Sequence, residues 1–277
     1  MLKIDAHQHF WKFDPVKHSW INSEMNVIRR DFMPKDLQPL LHEKKFNGCI
    51  AVQADEHEDE NTFLLELASE NDFIKGVIGW VNFFDKSVAS RIEFYSQYEK
   101  MKGFRYILQD KNPRDLMLHK TFLDGLKALD DHQFLYEVLI FTDQLCFAKE
   151  LVSRFPNQIF VLDHLSKPMI KIGEIDQWRK DISALAEHEN VCCKISGMVT
   201  EADWKNWKYE DFEPYLDVVF NAFGSNRVLF GSDWPVCNLA GNYQQVAQIA
   251  EYYTKQLSRD EQEKFWGRNA AKYYQLI

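Results

Sequence analysis

Eight short apolar segments rich in β-branched residues recur along the chain: LKIDA from residue 2, GCIAVQ from 48, KGVIGWV from 75, KGFRYI from 102, FLYEVLI from 134, QIFVLDH from 158, NVCCKIS from 190 and RVLFGSD from 227. Their starts lie roughly 25 to 45 residues apart, room for one helix in each gap. In TDQLCFAKELVSRF, Leu145, Ala148, Leu151, Val152 and Phe155 share one helical face behind Thr142 as an expected cap, and Val88, Ile92 and Tyr95 do the same further upstream. Ser258 and Glu261 have the spacing of a capping box. Eight strands alternating with helices, with no Gly/Ser/Pro-rich linker between them, predict an α/β fold: a single, somewhat distorted (β/α)8 barrel over 1–277 rather than a doubly wound sheet. A nucleotide-binding sheet also calls for a Gly-rich phosphate loop after an early strand, and none is present.

Composition narrows the class of ligand. A net charge of −9 argues against nucleic acid, which needs a clustered basic surface, and points to a small molecule. No run of 18 apolar residues suggests a membrane span, and the N-terminus lacks a secretory pattern, so a cytoplasmic protein is expected. Five cysteines without Cys-x-x-Cys spacing suit buried thiols better than disulfides or a zinc knuckle. The connection 10–34, with Trp11, Phe13, Trp20 and two prolines, is long for a barrel loop and reads as a lid or pocket wall.

The polar residues gather where such a barrel does its chemistry. Side chains alternate along a strand, so Asp5, His7 and His9 face one way at the C-terminal end of the first strand. Two histidines so spaced can grip one metal ion or polarise one carbonyl. Arg105 ends the fourth strand, Asp163 and His164 the sixth, Lys194 the seventh and Asp233 the eighth. Taken singly, Asp163 or Asp233 suits a helix cap, Arg105 an ion pair and Lys194 a side chain reaching out to solvent. Taken together at one rim they suggest a site. The other six histidines read as surface or packing residues, and no Gly-x-Ser-x-Gly elbow or His-Glu-x-x-His motif is present.

IDAHQHFW, Arg29-Arg-Asp-Phe-Met-Pro34, Gly103-Phe-Arg105, LDHLSKP, FGSDWPV and Asn269-Ala-Ala-Lys-Tyr273 together resemble the amidohydrolase superfamily, in its sugar-lactonase-like branch, over nearly the whole chain. The resemblance implies hydrolysis of a small sugar-derived lactone, such as an aldonolactone from fucose or rhamnose breakdown. Asp233 is then the expected general base, His7, His9 and His164 polarise the carbonyl, and Arg105 stabilises the oxyanion. Trp80, Lys194 and Trp234 are expected at the substrate. It implies either no required cofactor or one divalent ion, zinc or manganese, held by His7, His9 and Asp233, and it leaves room for a homo-oligomer. The fifth strand offers only Glu137 as an ionisable carboxylate, which argues against a binuclear centre. A pyrone-dicarboxylate-type lactonase, which would want more arginines, and a metal-dependent decarboxylase are the rival readings within the superfamily, and a catalytically silent sugar-binding barrel is a third.

Overall fold

The structure is a computed structural model that describes residues 1–276. Eight parallel strands pair in chain order: β1 (Ile4–Gln8), β2 (Gly48–Val52), β3 (Ile74–Gly79), β4 (Met101–Ile107), β5 (Leu135–Leu139), β6 (Phe160–Leu162), β7 (Val191–Ile195) and β8 (Val228–Phe230). Each lies within a few residues of its sequence segment. The helices that follow them cross over outside: α1 (Pro34–Glu43), α2 (Asp59–Glu70), α3 (Val88–Tyr95), α4 (Lys120–Lys127), α5 (Leu145–Arg154), α6 (Asp176–Ala186), the short α7 (Met198–Glu201) with α8 (Glu213–Phe223), and α9 (Tyr243–Thr254). The result is a nearly closed (β/α)8 barrel.

Two hydrophobic layers follow from strand alternation. Outward residues such as Phe104, Tyr136 and Phe160 bury against the helices, with Leu145, Ala148, Leu151 and Val152 of α5 as the periodicity requires. Inward residues Ile4, Ala6, Ile50, Val52, Ile78, Leu135, Val161 and Leu229 fill the barrel together with Tyr274. Thr142 does not cap α5. It opens a 3-10 turn, Thr142–Gln144, in which the side chain of Gln144 instead accepts the Phe141 N–H at 3.1 Å. The Ser258 capping box is formed.

β8 is too short to close the barrel by itself. The seam to β1 is made just beyond it, where Asp233 N–H donates to the His7 carbonyl at 2.8 Å and His9 N–H to that of Trp234 at 2.7 Å. Asp5 supports the join from beneath: one oxygen accepts the backbone N–H groups of Ser232 at 2.8 Å and His7 at 3.2 Å. The 10–34 connection folds over this seam. Trp11 pairs with Phe32 as an isolated bridge, its indole donates to the Arg30 carbonyl at 2.9 Å, and Phe10 and Phe32 pack on Trp234.

Candidate active site

At the C-terminal mouth lies a cavity of about 370 Å³. Its floor carries His9, His164, Asp233 and Arg105, and its walls are loops: Lys17, Ser19 and Trp20 from the 10–34 connection, Asp55 and Glu56 after β2, Gln109, Asp110 and Lys111 after β4, and Lys167 after β6.

On the floor, Nε2 of His7 lies 3.2 Å from Nε2 of His9, and one oxygen of Asp233 lies 3.4 Å from the His9 nitrogen and 3.8 Å from that of His7. Nδ1 of His9 sits 2.7 Å from the Val52 carbonyl, which can only accept, so that nitrogen donates to it. His164 completes the group, its ring 4.4 Å from that of His7 and its Nδ1 2.9 Å from the Ser196 hydroxyl. Backbone conformation presents these side chains. His164, Leu165, Ser166 and Lys167 all have positive φ, 52 to 56°, and Asp233 has φ 56°. Left-handed geometry in non-glycine residues costs roughly 1–2 kcal/mol each, and such outliers concentrate at functional sites.

Burial and charge set the protonation states. Burial, reinforced by the Lys194 charge, holds His7 well below the usual histidine range, and burial depresses His164 to about 4, so both rings are neutral near pH 7. For Asp233 burial works upward, but His164 and His9 outweigh it and keep the carboxyl below its ordinary value. It is therefore an ionised acceptor on the floor.

Beneath the floor is a second, fully buried layer. Arg105 donates to Asp163 at 2.9 Å and to the Gln53 carbonyl, while Lys194 lies 2.6 Å from Glu137, 3.1 Å from Asp163 and 3.0 Å from Nδ1 of His7. Tyr274 reaches up from the C-terminal helix to donate to Glu137 at 2.6 Å. Burial would raise Asp163, but the charge of Lys194, the hydrogen bond with His7 and the charge of Arg105 hold it well below the carboxylate range, whereas burial and Asp163 push Glu137 up.

The structure brings His7, His9, His164, Arg105 and Asp233 together. It does not bring Trp80, Lys194 or Trp234 to the cavity. Lys194 points into the barrel, not to the mouth, because two carboxylates wait there; Trp234 is buried against Phe10 and Phe32, and Trp80 leans on Tyr106 with ring centroids 6.0 Å apart. Sequence reasoning missed Asp163 as the hub of the lower layer, along with Gln53, Ser196 and Tyr274. The inward phase of Glu137 on β5 and Lys194 on β7 was the available signal for an internal ion pair.

His7, His9 and Asp233 also form a donor set. A tetrahedral ion at about 2.1 Å from each donor spaces its ligands about 3.4 Å apart, close to the three separations on this floor. His7, His164 and Asp233 likewise converge, all within 4.8 Å of one another. Imidazole nitrogen with carboxylate oxygen suits a divalent ion such as zinc or manganese.

Fold and floor define a (β/α)8 barrel that gathers histidines and a carboxylate at its C-terminal mouth. The match of residues 4–276 to the amidohydrolase family model identifies it further: the chain belongs to the amidohydrolase family. It is 38% identical to an L-fucono-1,5-lactonase of Burkholderia multivorans, over 99% of this chain and 96% of that protein, and 32% identical to one of Burkholderia ambifaria, over the same shares. A crystal structure of an amidohydrolase from Burkholderia multivorans with bound zinc superposes with a TM-score of 0.96 at 38% identity, over the full length of both chains.

Proposed function

We propose that this chain is a lactonase that opens a small sugar-derived lactone, of the kind its Burkholderia relatives are named for, to the hydroxy acid. The observation that carries the reading is an ionised Asp233 beside His9 and His164 on the floor of a small cavity, with His7 fully buried against them. A volume of about 370 Å³ lies at the lower end for ligand pockets and suits a single sugar ring. The charged side chains of the wall are balanced, with Lys17, Lys111 and Lys167 facing Asp55, Glu56 and Asp110, and Arg105 is already tied to Asp163. That balance favours a neutral polyhydroxylated lactone over a dianion such as a pyrone dicarboxylate.

In this reading Asp233 takes the proton of the attacking water as general base, help that contributes about 10²- to 10⁴-fold. His9 and His164 flank it and polarise the lactone carbonyl. Arg105 lends positive charge to the developing oxyanion, and loss of one such donor costs about 2.7 to 4 kcal/mol in comparable sites. The proton gained by Asp233 then passes to the departing ring oxygen, leaving the hydroxy acid. When a divalent ion is bound, His7, His9 and Asp233 hold it, and it supplies Lewis-acid polarisation and a more acidic water.

The test is proton release from a panel of aldono-1,4- and 1,5-lactones beside pyrone dicarboxylate, with wild type and Asp233→Asn, with and without chelator. Fast release from a sugar lactone, lowered about 10²-fold or more in the variant, is expected. No release from any lactone by wild type overturns the reading.

A further inference from the structure

We propose that Lys167 binds the carboxylate that ring opening creates, its ammonium pairing with the product anion inside the cavity. The inference rests on the lactonase reading and adds to it the residue that meets the product. Ring opening changes the charge the cavity must hold. Water adds to the carbonyl carbon of a neutral lactone and the bond from that carbon to the ring oxygen breaks; one proton of the water ends on the ring oxygen as a hydroxyl and the other leaves as the new acid ionises. A carboxylate is left near Asp233, which is itself ionised. Two anions in one small cavity repel, so the product calls for a cation.

The other cations that line the cavity are engaged or exposed. Arg105 donates to Asp163 at 2.9 Å and Lys111 to Glu56 at 2.6 Å, while Lys17 is exposed on the 10–34 connection and keeps its water. Lys167 differs. Its side chain is only 20% exposed and lines the cavity together with His164 and Asp233. Among the described residues the one carboxylate within 4.0 Å of its ammonium is that of Glu201 at the end of α7, with Nζ and Oε1 4.0 Å apart, too far for a hydrogen bond. The centroid of the Phe141 ring, just past β5, lies 5.6 Å away. An ammonium has three N–H donors, and one drawn out of most of its water is stabilised by any acceptor that reaches it.

The backbone ties this lysine to the floor. Lys167 closes the left-handed run that begins at His164, with φ 53°, and its N–H donates to the His164 carbonyl at 2.7 Å. The turn that presents the histidine therefore also sets the root of the lysine. Glycine takes such a φ without steric cost, so what a lysine adds at this position is its side chain. Glu201 stands close enough to offset the charge, and the cavity thus admits a neutral ring without a bare cation in its wall. A product carboxylate within hydrogen-bond distance becomes the stronger partner, because charge and hydrogen bond then act together.

The experiment measures binding by calorimetry to wild type, Lys167→Met and Lys167→Arg, using the sodium aldonates of the lactone panel and, as neutral counterparts, the parent aldoses. Circular dichroism checks that each variant folds. Lys167→Met is expected to bind the aldonate about 10- to 100-fold more weakly, the worth of a hydrogen bond to a charged group, and the aldose within about threefold of wild type. Lys167→Arg keeps the charge and is expected to hold the aldonate more tightly than Lys167→Met does. In turnover the same loss is expected as weaker inhibition by added product. Aldonate affinity unchanged in Lys167→Met, aldonate and aldose weakened alike, or a wild type that binds no aldonate overturns the proposal. The two readings fail separately: a wild type that binds the aldonate through Lys167 but opens no lactone counts against the reaction, and one that opens a lactone with product inhibition indifferent to Lys167→Met counts against this inference alone.

Discussion

Asp163 and Arg105 are joined at 2.9 Å in the barrel interior, and the other oxygen of Asp163 faces Lys194 at 3.1 Å. One carboxylate thus pairs with two cations, the fully buried Lys194 and the nearly buried Arg105. Asp163→Ala leaves buried positive charge uncompensated and is expected to cost about 3–5 kcal/mol of stability. Urea unfolding of the two proteins measures this, and a loss below about 1 kcal/mol, the worth of an exposed pair, would contradict the assignment.

Acid should act on this fold through its buried histidines. His164 has a folded pKa of about 4 against 6.5 for an ordinary histidine, so between those values the unfolded chain binds more protons. Its contribution is fully present above pH 6.5 and is lost as the pH falls through that window toward 4. Burial raises Asp5 to about 6 and Glu60 to about 8, which works in the opposite direction, so the comparison with a variant isolates the histidine. From pH 6.5 to 4.5, wild type is expected to lose about 2 to 3 kcal/mol more stability than His164→Gln. Parallel pH profiles for the two would refute the assignment.

Gly197 lies directly against His164. With φ +65° it occupies the left-handed region, and an added Cβ would come 2.7 Å from Nδ1 of the ring. Gly197→Ala is expected to cost about 1–2 kcal/mol from the backbone alone and to displace the imidazole. Thermal unfolding together with lactone turnover reads both effects; a variant with wild-type melting and wild-type kcat would argue against the contact.

Trp178 braces the left-handed turn that carries His164, its indole donating to the Leu165 carbonyl at 2.8 Å. Trp178→Phe keeps the aromatic packing and removes one of two donors to that carbonyl, the other being the Ser166 hydroxyl at 2.6 Å, at a cost of about 0.5–1.5 kcal/mol. Denaturant midpoints test the stability loss, and turnover is expected to fall with it.

Much of this architecture is legible in the sequence because barrel strands are marked twice, by apolar β-branched runs and by even spacing. β6 and β8, three residues each, were readable only because VLDH and LFGSD end in polar residues at the rim. Strand phase puts Asp5, His7 and His9 on one side; His7 and His9 do meet, but only because the register shifts after Asp5, which turns His7 inward after Ala6 and leaves Asp5 bonded to Ser232 instead. The walls did not: Lys17, Trp20, Gln109 and Lys111 belong to loops, where no period says which way a side chain turns. Trp80 and Trp234 are aromatic residues beside motif residues, and sequence does not separate a ring that stacks on substrate from one that packs on Phe32. Lys194 was misplaced because the depth of a lysine depends on what lies opposite, and Glu137 and Asp163 come from strands distant in sequence.

The seam between β1 and the segment after β8 gives the site a kinetic meaning. His7 exchanges a backbone hydrogen bond with Asp233, and His9 with Trp234, so the histidines of the first strand meet their carboxylate only when the two ends of the sheet join. A refolding chain with every strand formed but the ring still open has the residues and no site. Recovery of turnover after dilution from denaturant should therefore lag behind recovery of helical signal, timing the moment of closure.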